Sequence, residues 1–146
     1  MSQDANLALI RRYYEDLWNG WRLDLAESLI ASDIRFRGSL GIEVEGREGF
    51  KQYVARVRAA FPDFHTTVEE LLADGDTVAA HLTYRATHTG TLFQLRPTGR
   101  RITYPGLALF HCKAGLITRG LVVGDTWGLL QQLGAVPAIE GISQRP

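Results

Sequence analysis

The chain has 146 residues and a formal net charge of zero, 16 basic against 16 acidic side chains. That balance excludes the basic footprint of a nucleic-acid binder or of a protein held on an anionic membrane. With 45% hydrophobic and 22% charged residues, a single Cys112, no basic-then-apolar leader in Met1–Asn6 and no run of roughly 18 apolar residues, one soluble cytoplasmic domain without a disulfide is expected.

Leu7, Ile10, Tyr14, Leu17 and Trp21 recur at helical spacing, with Asn19-Gly20 as a stop. A second short helix is expected near Asp24, with Glu27 completing a capping box. Ile34–Arg37 alternates as a short strand, and Ile42 and Val44 suggest another within the glycine-punctuated stretch that follows. Phe50, Tyr53, Val54, Val57 and Phe61 define a third helix, ended by Pro62-Asp63.

The period then changes from helical to alternating. Strands are predicted over Phe64–Ala73, Thr77–His88, Arg101–Cys112 and Leu116–Asp125. Trp127, Leu129, Leu130 and Leu133 fit a terminal helix stopped by Gly134, leaving 135–146 as an irregular tail after a domain spanning 1–134. Helices followed by long antiparallel strands specify an α+β domain. A curved, mostly antiparallel sheet around three N-terminal helices makes a cone with a deep pocket, and residues facing that pocket share one parity on each strand.

Between Thr77 and Ile139 the only carboxylate is Asp125, at the end of Leu121-Val122-Val123-Gly124 and close to Trp127. Burial among such neighbours raises a carboxylate's pKa toward the range useful for acid/base chemistry. An Asp directly before a helix is equally an N-cap, and the two roles are compatible. If Lys113-Ala114-Gly115 forms a three-residue hairpin loop, Asp125 falls opposite Thr103, beside Tyr104. His65, His81, His88 and His111 lack metal-ligand spacing, so no metal is expected. His88 opens the Thr87–Gly90 segment, where it either orients substrate or bonds to backbone. Tyr14, Trp18, Phe36, Tyr53, Tyr84, Tyr104 and Trp127 suit a cavity for a flat polycyclic ligand, or else fill the core.

The chain resembles the SnoaL-like polyketide cyclases of the nuclear-transport-factor-2-like superfamily, from about Asn6 to Gly134. The carriers are Arg12-Tyr13-Tyr14-Glu15-Asp16-Leu17-Trp18-Asn19, Ala59-Ala60-Phe61-Pro62-Asp63 and Thr67-Val68-Glu69. They continue with Thr87-His88-Thr89-Gly90, Pro97-Thr98-Gly99-Arg100-Arg101 and the stretch from Asp125 through Gly128-Leu129-Leu130-Gln131-Gln132-Leu133-Gly134. The resemblance implies a cofactor-free intramolecular aldol closure of an aromatic polyketide, with Asp125 as acid/base. It also implies a small hydrophobic, polyketide-like substrate and a homo-oligomer, dimer or tetramer. Where family members often carry Asp-His this chain has Phe36-Arg37, and where they carry His or Trp it has Gly120, Leu121 and Gly124. A limonene-type epoxide hydrolase, another isomerase or hydratase on this fold, and a non-catalytic binding or dimerisation module are the alternatives.

Overall fold

A computed structural model describes residues 2–136. Helix α1 (Gln3–Arg12) starts where the Ser2 hydroxyl accepts the Ala5 amide, and runs on as a π-helical turn over Tyr13–Trp18. A 3₁₀ turn over Leu23–Leu25 leads into the single turn α2 (Ala26–Leu29). The capping box expected at Asp24 is not formed. Arg22 stands at the cap position, and the Asp24 carboxylate accepts from its guanidinium instead.

Strand β1 (Ile30–Arg37) is longer than its alternating tetrad suggested, and β2 (Glu43–Glu45) pairs with it antiparallel. Helix α3 (Gly46–Ala60) buries Phe50, Tyr53, Val54, Val57 and Ala60, the predicted face, and ends at Phe61 ahead of Pro62. Strands β3 (His65–Asp74), β4 (Thr77–Thr87), β5 (Arg101–Lys113) and β6 (Leu116–Gly124) follow within a residue of the expected bounds. Helix α4 (Thr126–Gln132) closes the described fold; most of the 135–146 tail lies outside the described residues.

The six strands form one sheet in the order β2-β1-β6-β5-β4-β3, antiparallel throughout except for the β1–β6 pair. That parallel pair is the crossover that brings the first strand back against the last. Helices α1 and α3 cover one face of the sheet, with α1 over β3 and β4 and α3 over β1 and β2. Alternation is nearly strict: Val78, Ala80, Leu82, Tyr84 and Ala86 of β4 and Ile102, Tyr104, Ala108, Phe110 and Cys112 of β5 all point beneath the helices.

The β5–β6 hairpin differs from the sequence count. Its loop has two residues, Ala114 and Gly115, both with positive φ (53° and 79°), so Lys113 faces Leu116. This is the turn whose twist suits a two-residue hairpin. A bulge between His111 and Cys112 then shifts the pairing again, and Gly106 stands opposite Gly124. Asp125 therefore follows on beside Pro105, whose carbonyl accepts its amide at 2.9 Å, rather than beside Thr103.

Candidate functional site

Five of the aromatic residues singled out in the sequence meet beneath the helices. Tyr14, Trp18, Phe36, Tyr53 and Tyr84 line one interior cavity together with Tyr13, Ser39, Val57, Phe64, Thr66 and Val122. They arrive from α3, four strands and the π-helical turn, with Ser39 and Phe64 from the segments between elements. In that turn Tyr13, Tyr14, Leu17 and Trp18 are all buried, so the wide turn delivers two adjacent pairs of side chains inward. The rings pack mostly edge to face: Trp18 on Phe50 and Tyr53, and Phe36 on the same two rings. Little room remains. The cavity measures about 20 Å³, enough for about one water molecule.

A wider opening of about 200 Å³ lies next to it, lined by Leu40, Ile42, Arg56, Leu92 and Phe93 among others. Tyr53 and Val57 belong to both spaces and form the wall between them. Phe93 reaches this mouth with a positive φ of 53°, a conformation a bulky side chain adopts at a cost.

Polar atoms decide what the interior can hold. The Tyr14 hydroxyl, the Trp18 indole N–H and the Thr66 hydroxyl are buried, line the same cavity and have no hydrogen-bond partner among the described residues. A buried polar group left unpaired costs about 1–3 kcal/mol. Thr66 is set in place by Asn19, whose side-chain amide donates to the Thr66 carbonyl and accepts the Thr66 amide, both at 2.8 Å. Burial, reinforced by the neighbouring Tyr84, Tyr13 and Tyr53, holds the Tyr14 pKa well above that of free tyrosine, so its hydroxyl stays protonated. Tyr104, also buried, shares a hydrogen bond of 3.0 Å with Ser39 beside this cavity. Among the described residues, no cluster of three or more His, Cys, Asp or Glu is arranged to hold a metal.

Four expected site residues do not line this cavity: Tyr104 stands beside it, and the other three sit elsewhere. Asp125 is exposed, not buried among apolar side chains; its Oδ1 accepts the Gly128 amide at 2.9 Å as the N-cap of α4. Strand parity is the reason. Val122 and Gly124 point inward, so Asp125 shares the outer face with the exposed Leu121 and Val123. Trp127 is 43% exposed and not part of the cavity wall. His88 is fully buried but against Phe61; its Nδ1 accepts the Thr98 amide at 3.2 Å and lies 3.0 Å from the Thr98 hydroxyl, which pins the loop between β4 and β5. Thr66 and Ser39 were not singled out in the sequence, and Asn19 was read there only as part of a helix stop and of the family resemblance. Thr66 is the one fully buried position of β3, whose burial does not alternate regularly, and the role of Asn19 depends on a contact across 47 positions.

An open curved sheet with helices on its concave side, enclosing an aromatic cavity with a few unpaired polar atoms, defines a cone-shaped α+β small-molecule domain. The sequence profile of the SnoaL-like polyketide cyclases matches residues 8–133, and the chain belongs to that family. Among solved structures, a candidate SnoaL-like polyketide cyclase from Jannaschia sp. CCS1 superposes with a TM-score of 0.84 at 21% identity, covering 92% of this chain and 95% of that one. AclR of Streptomyces galilaeus, a candidate hydroxylase, gives 0.82 at 26% identity over 97% and 93%. IdmH of Streptomyces antibioticus, a candidate polyketide cyclase, gives 0.77 at 28% over 88% and 98%. Among curated proteins, none matches. No helix among the described residues is long and apolar enough to cross a membrane.

Proposed function

We propose that this protein takes a flat, largely apolar, polyketide-like substrate through the mouth beside Tyr53, with one carbonyl oxygen of the substrate reaching the interior cavity. Tyr14, Thr66 and Trp18 then donate hydrogen bonds to that oxygen. The observation carrying this reading is the set of three buried, unpartnered polar groups around a single apolar cavity. Donors placed where negative charge develops lower the barrier to addition at a carbonyl, because a low-dielectric site strengthens them. In an intramolecular aldol closure the carbon between two carbonyls, acidified by both, loses a proton to solvent water at the mouth, and its enolate attacks a third carbonyl. The oxygen of that carbonyl becomes the alkoxide these donors stabilise, and it is then protonated to a hydroxyl. Entry requires the Tyr53 ring to swing aside, merging cavity and mouth.

The family match supports ring closure as the reaction. The geometry does not support Asp125 as its acid/base from within the cavity, since the carboxylate caps α4 on the outer face. The cavity wall carries no carboxylate or imidazole. That lack favours a second reading, in which the chain binds the same class of ligand without turning it over.

Binding is tested with a hydroxyanthraquinone as probe, followed by tryptophan fluorescence. Tyr14→Phe is expected to weaken it about tenfold, the equivalent of one hydrogen bond; unchanged affinity overturns the interior site. Turnover separates the two readings. With a poly-β-keto substrate that cyclises, Tyr14→Phe lowers kcat roughly 100-fold while Asp125→Asn leaves it within about twofold. A loss of two orders of magnitude in Asp125→Asn would return the acid/base role to that residue, and no turnover by the unaltered protein would leave binding alone.

A further inference from the structure

Helix α3 carries four cations, and three of them are engaged. Arg47 donates to the Ile30 carbonyl at 2.7 and 3.1 Å, Lys51 pairs with Glu27, and Arg58 lies 5.0 Å above the Trp21 ring. The arginines of α1 are occupied as well, Arg11 by Glu15 and Arg12 by Asp16, each four positions on. Arg56 is the exception. It is exposed and makes no ion pair or hydrogen bond among the described residues. Its neighbours three and four positions away on α3 are Gln52, Tyr53, Ala59 and Ala60, so the helix supplies it with no carboxylate.

Arg56 stands one turn along from Tyr53, and both line the opening of about 200 Å³ beside the interior cavity. Leu40 and Ile42, between β1 and β2, and Leu92 and Phe93, between β4 and β5, form the other walls. Among the described residues that line this opening, Arg56 is the one charged side chain. Its charge is felt at the dividing ring: burial raises the Tyr53 pKa, and the Arg37 and Arg56 cations act against that rise. An apolar opening with one uncompensated cation suits a ligand that is apolar along its length and anionic at its end. A guanidinium offers a carboxylate two parallel N–H donors, which makes the match one of shape as well as charge.

We infer that Arg56 is a specificity-determining residue that pairs with a carboxylate at the outer end of the substrate. The protein therefore takes the free acid of a polyketide-like compound in preference to its ester. The orientation, with a carbonyl inward and the carboxylate in the mouth, rests on the interior site proposed above.

The test compares rhein, a dihydroxyanthraquinone carboxylic acid, with its methyl ester at neutral pH, by tryptophan fluorescence of the full chain. The unaltered protein is expected to bind the acid about tenfold more tightly than the ester, a difference that shrinks between about 0.05 and 0.5 M salt. Arg56→Gln is expected to bind both probes as the unaltered protein binds the ester, and Arg56→Lys to keep part of the preference. Arg58→Gln removes the same charge two positions away and is expected to keep all of it. Equal affinity of the unaltered protein for acid and ester overturns the inference, as does a preference that survives Arg56→Gln. Failure of the interior site looks different. A preference that depends on Arg56, with affinities unchanged in Tyr14→Phe, removes the interior site and leaves the carboxylate contact at the mouth. Binding that depends on Tyr14 but shows no preference does the reverse, and if neither probe binds both fall.

Discussion

Asp125 shows how one carboxylate can be read two ways and built only one. Its oxygen accepts the Gly128 amide, and Gly128 approaches so closely that an added Cβ would overlap the carboxylate. A capping role makes a specific claim on stability. Asp125→Ala is expected to destabilise the fold by about 1 kcal/mol, with Asp125→Asn within a few tenths of the unaltered protein, because asparagine caps as well as aspartate. Urea unfolding of the two variants checks this, and equal losses would mean that charge matters more than the cap. Tyr14 is the opposite case, a residue whose polar atom is enclosed without a partner. Cys112 is equally enclosed and chemically quiet: burial, with Asp76 nearby, pushes its pKa up to about 11.

At the level of elements, the connection from β4 to β5 is the part most tied to a single side chain. His88 holds it by Nδ1 to Thr98, its own amide donates to the Arg100 carbonyl, and the Gly99 amide donates back to the His88 carbonyl. Gly90 lies against the end of α3, where a Cβ would overlap the Ala59 carbonyl. Burial lowers the His88 pKa below its ordinary 6.5, with a Gly90 backbone contact acting the other way. The unfolded chain therefore binds this proton more readily than the folded one, so the contribution of His88 is intact above pH 6.5 and is lost as pH falls through its folded pKa. Protonation also places a donor against the Thr98 amide. Urea midpoints at pH 8 and pH 5 should separate more for the unaltered protein than for His88→Gln; equal separation would show that His88 contributes nothing to the acid loss.

For the molecule as a whole, the cone is a filled one. Rings from the π-helical turn, α3, β1, β4 and β5, with Phe64 just ahead of β3, meet in it, and the space between them is close to one water in size. Opening it should therefore cost stability and create capacity together. Phe36→Ala removes a ring packed at 5.1 Å from Phe50 and 5.4 Å from Tyr53, centroid to centroid. The expected loss is about 3–5 kcal/mol, as for other large-to-small core changes. The enlarged cavity should also bind a small aromatic such as indole, seen as a ligand-dependent rise in Tm absent from the unaltered protein. A loss below 1 kcal/mol with no such rise would mean that the core collapses around the change.

The sequence by itself determined the order and type of nearly every element, because helical and alternating hydrophobic periods are local properties of the chain. It also placed the strand aromatics Tyr84 and Tyr104 inward, since one parity along β4 and β5 assigns a whole strand at once, but it placed Trp127 with them, which stands exposed. Three matters were decided only in three dimensions. The two-residue Ala114-Gly115 turn and the bulge at His111 moved the partner of Asp125 from Thr103 to Pro105, and a helix start claimed its carboxylate. The pinning of Thr66 by Asn19 joins positions 47 apart, a distance no local pattern encodes. How much of the cone stays empty depended on ring volumes from five elements and Phe64 meeting at one place. Periodicity states which way a side chain points, and only packing states what it meets there.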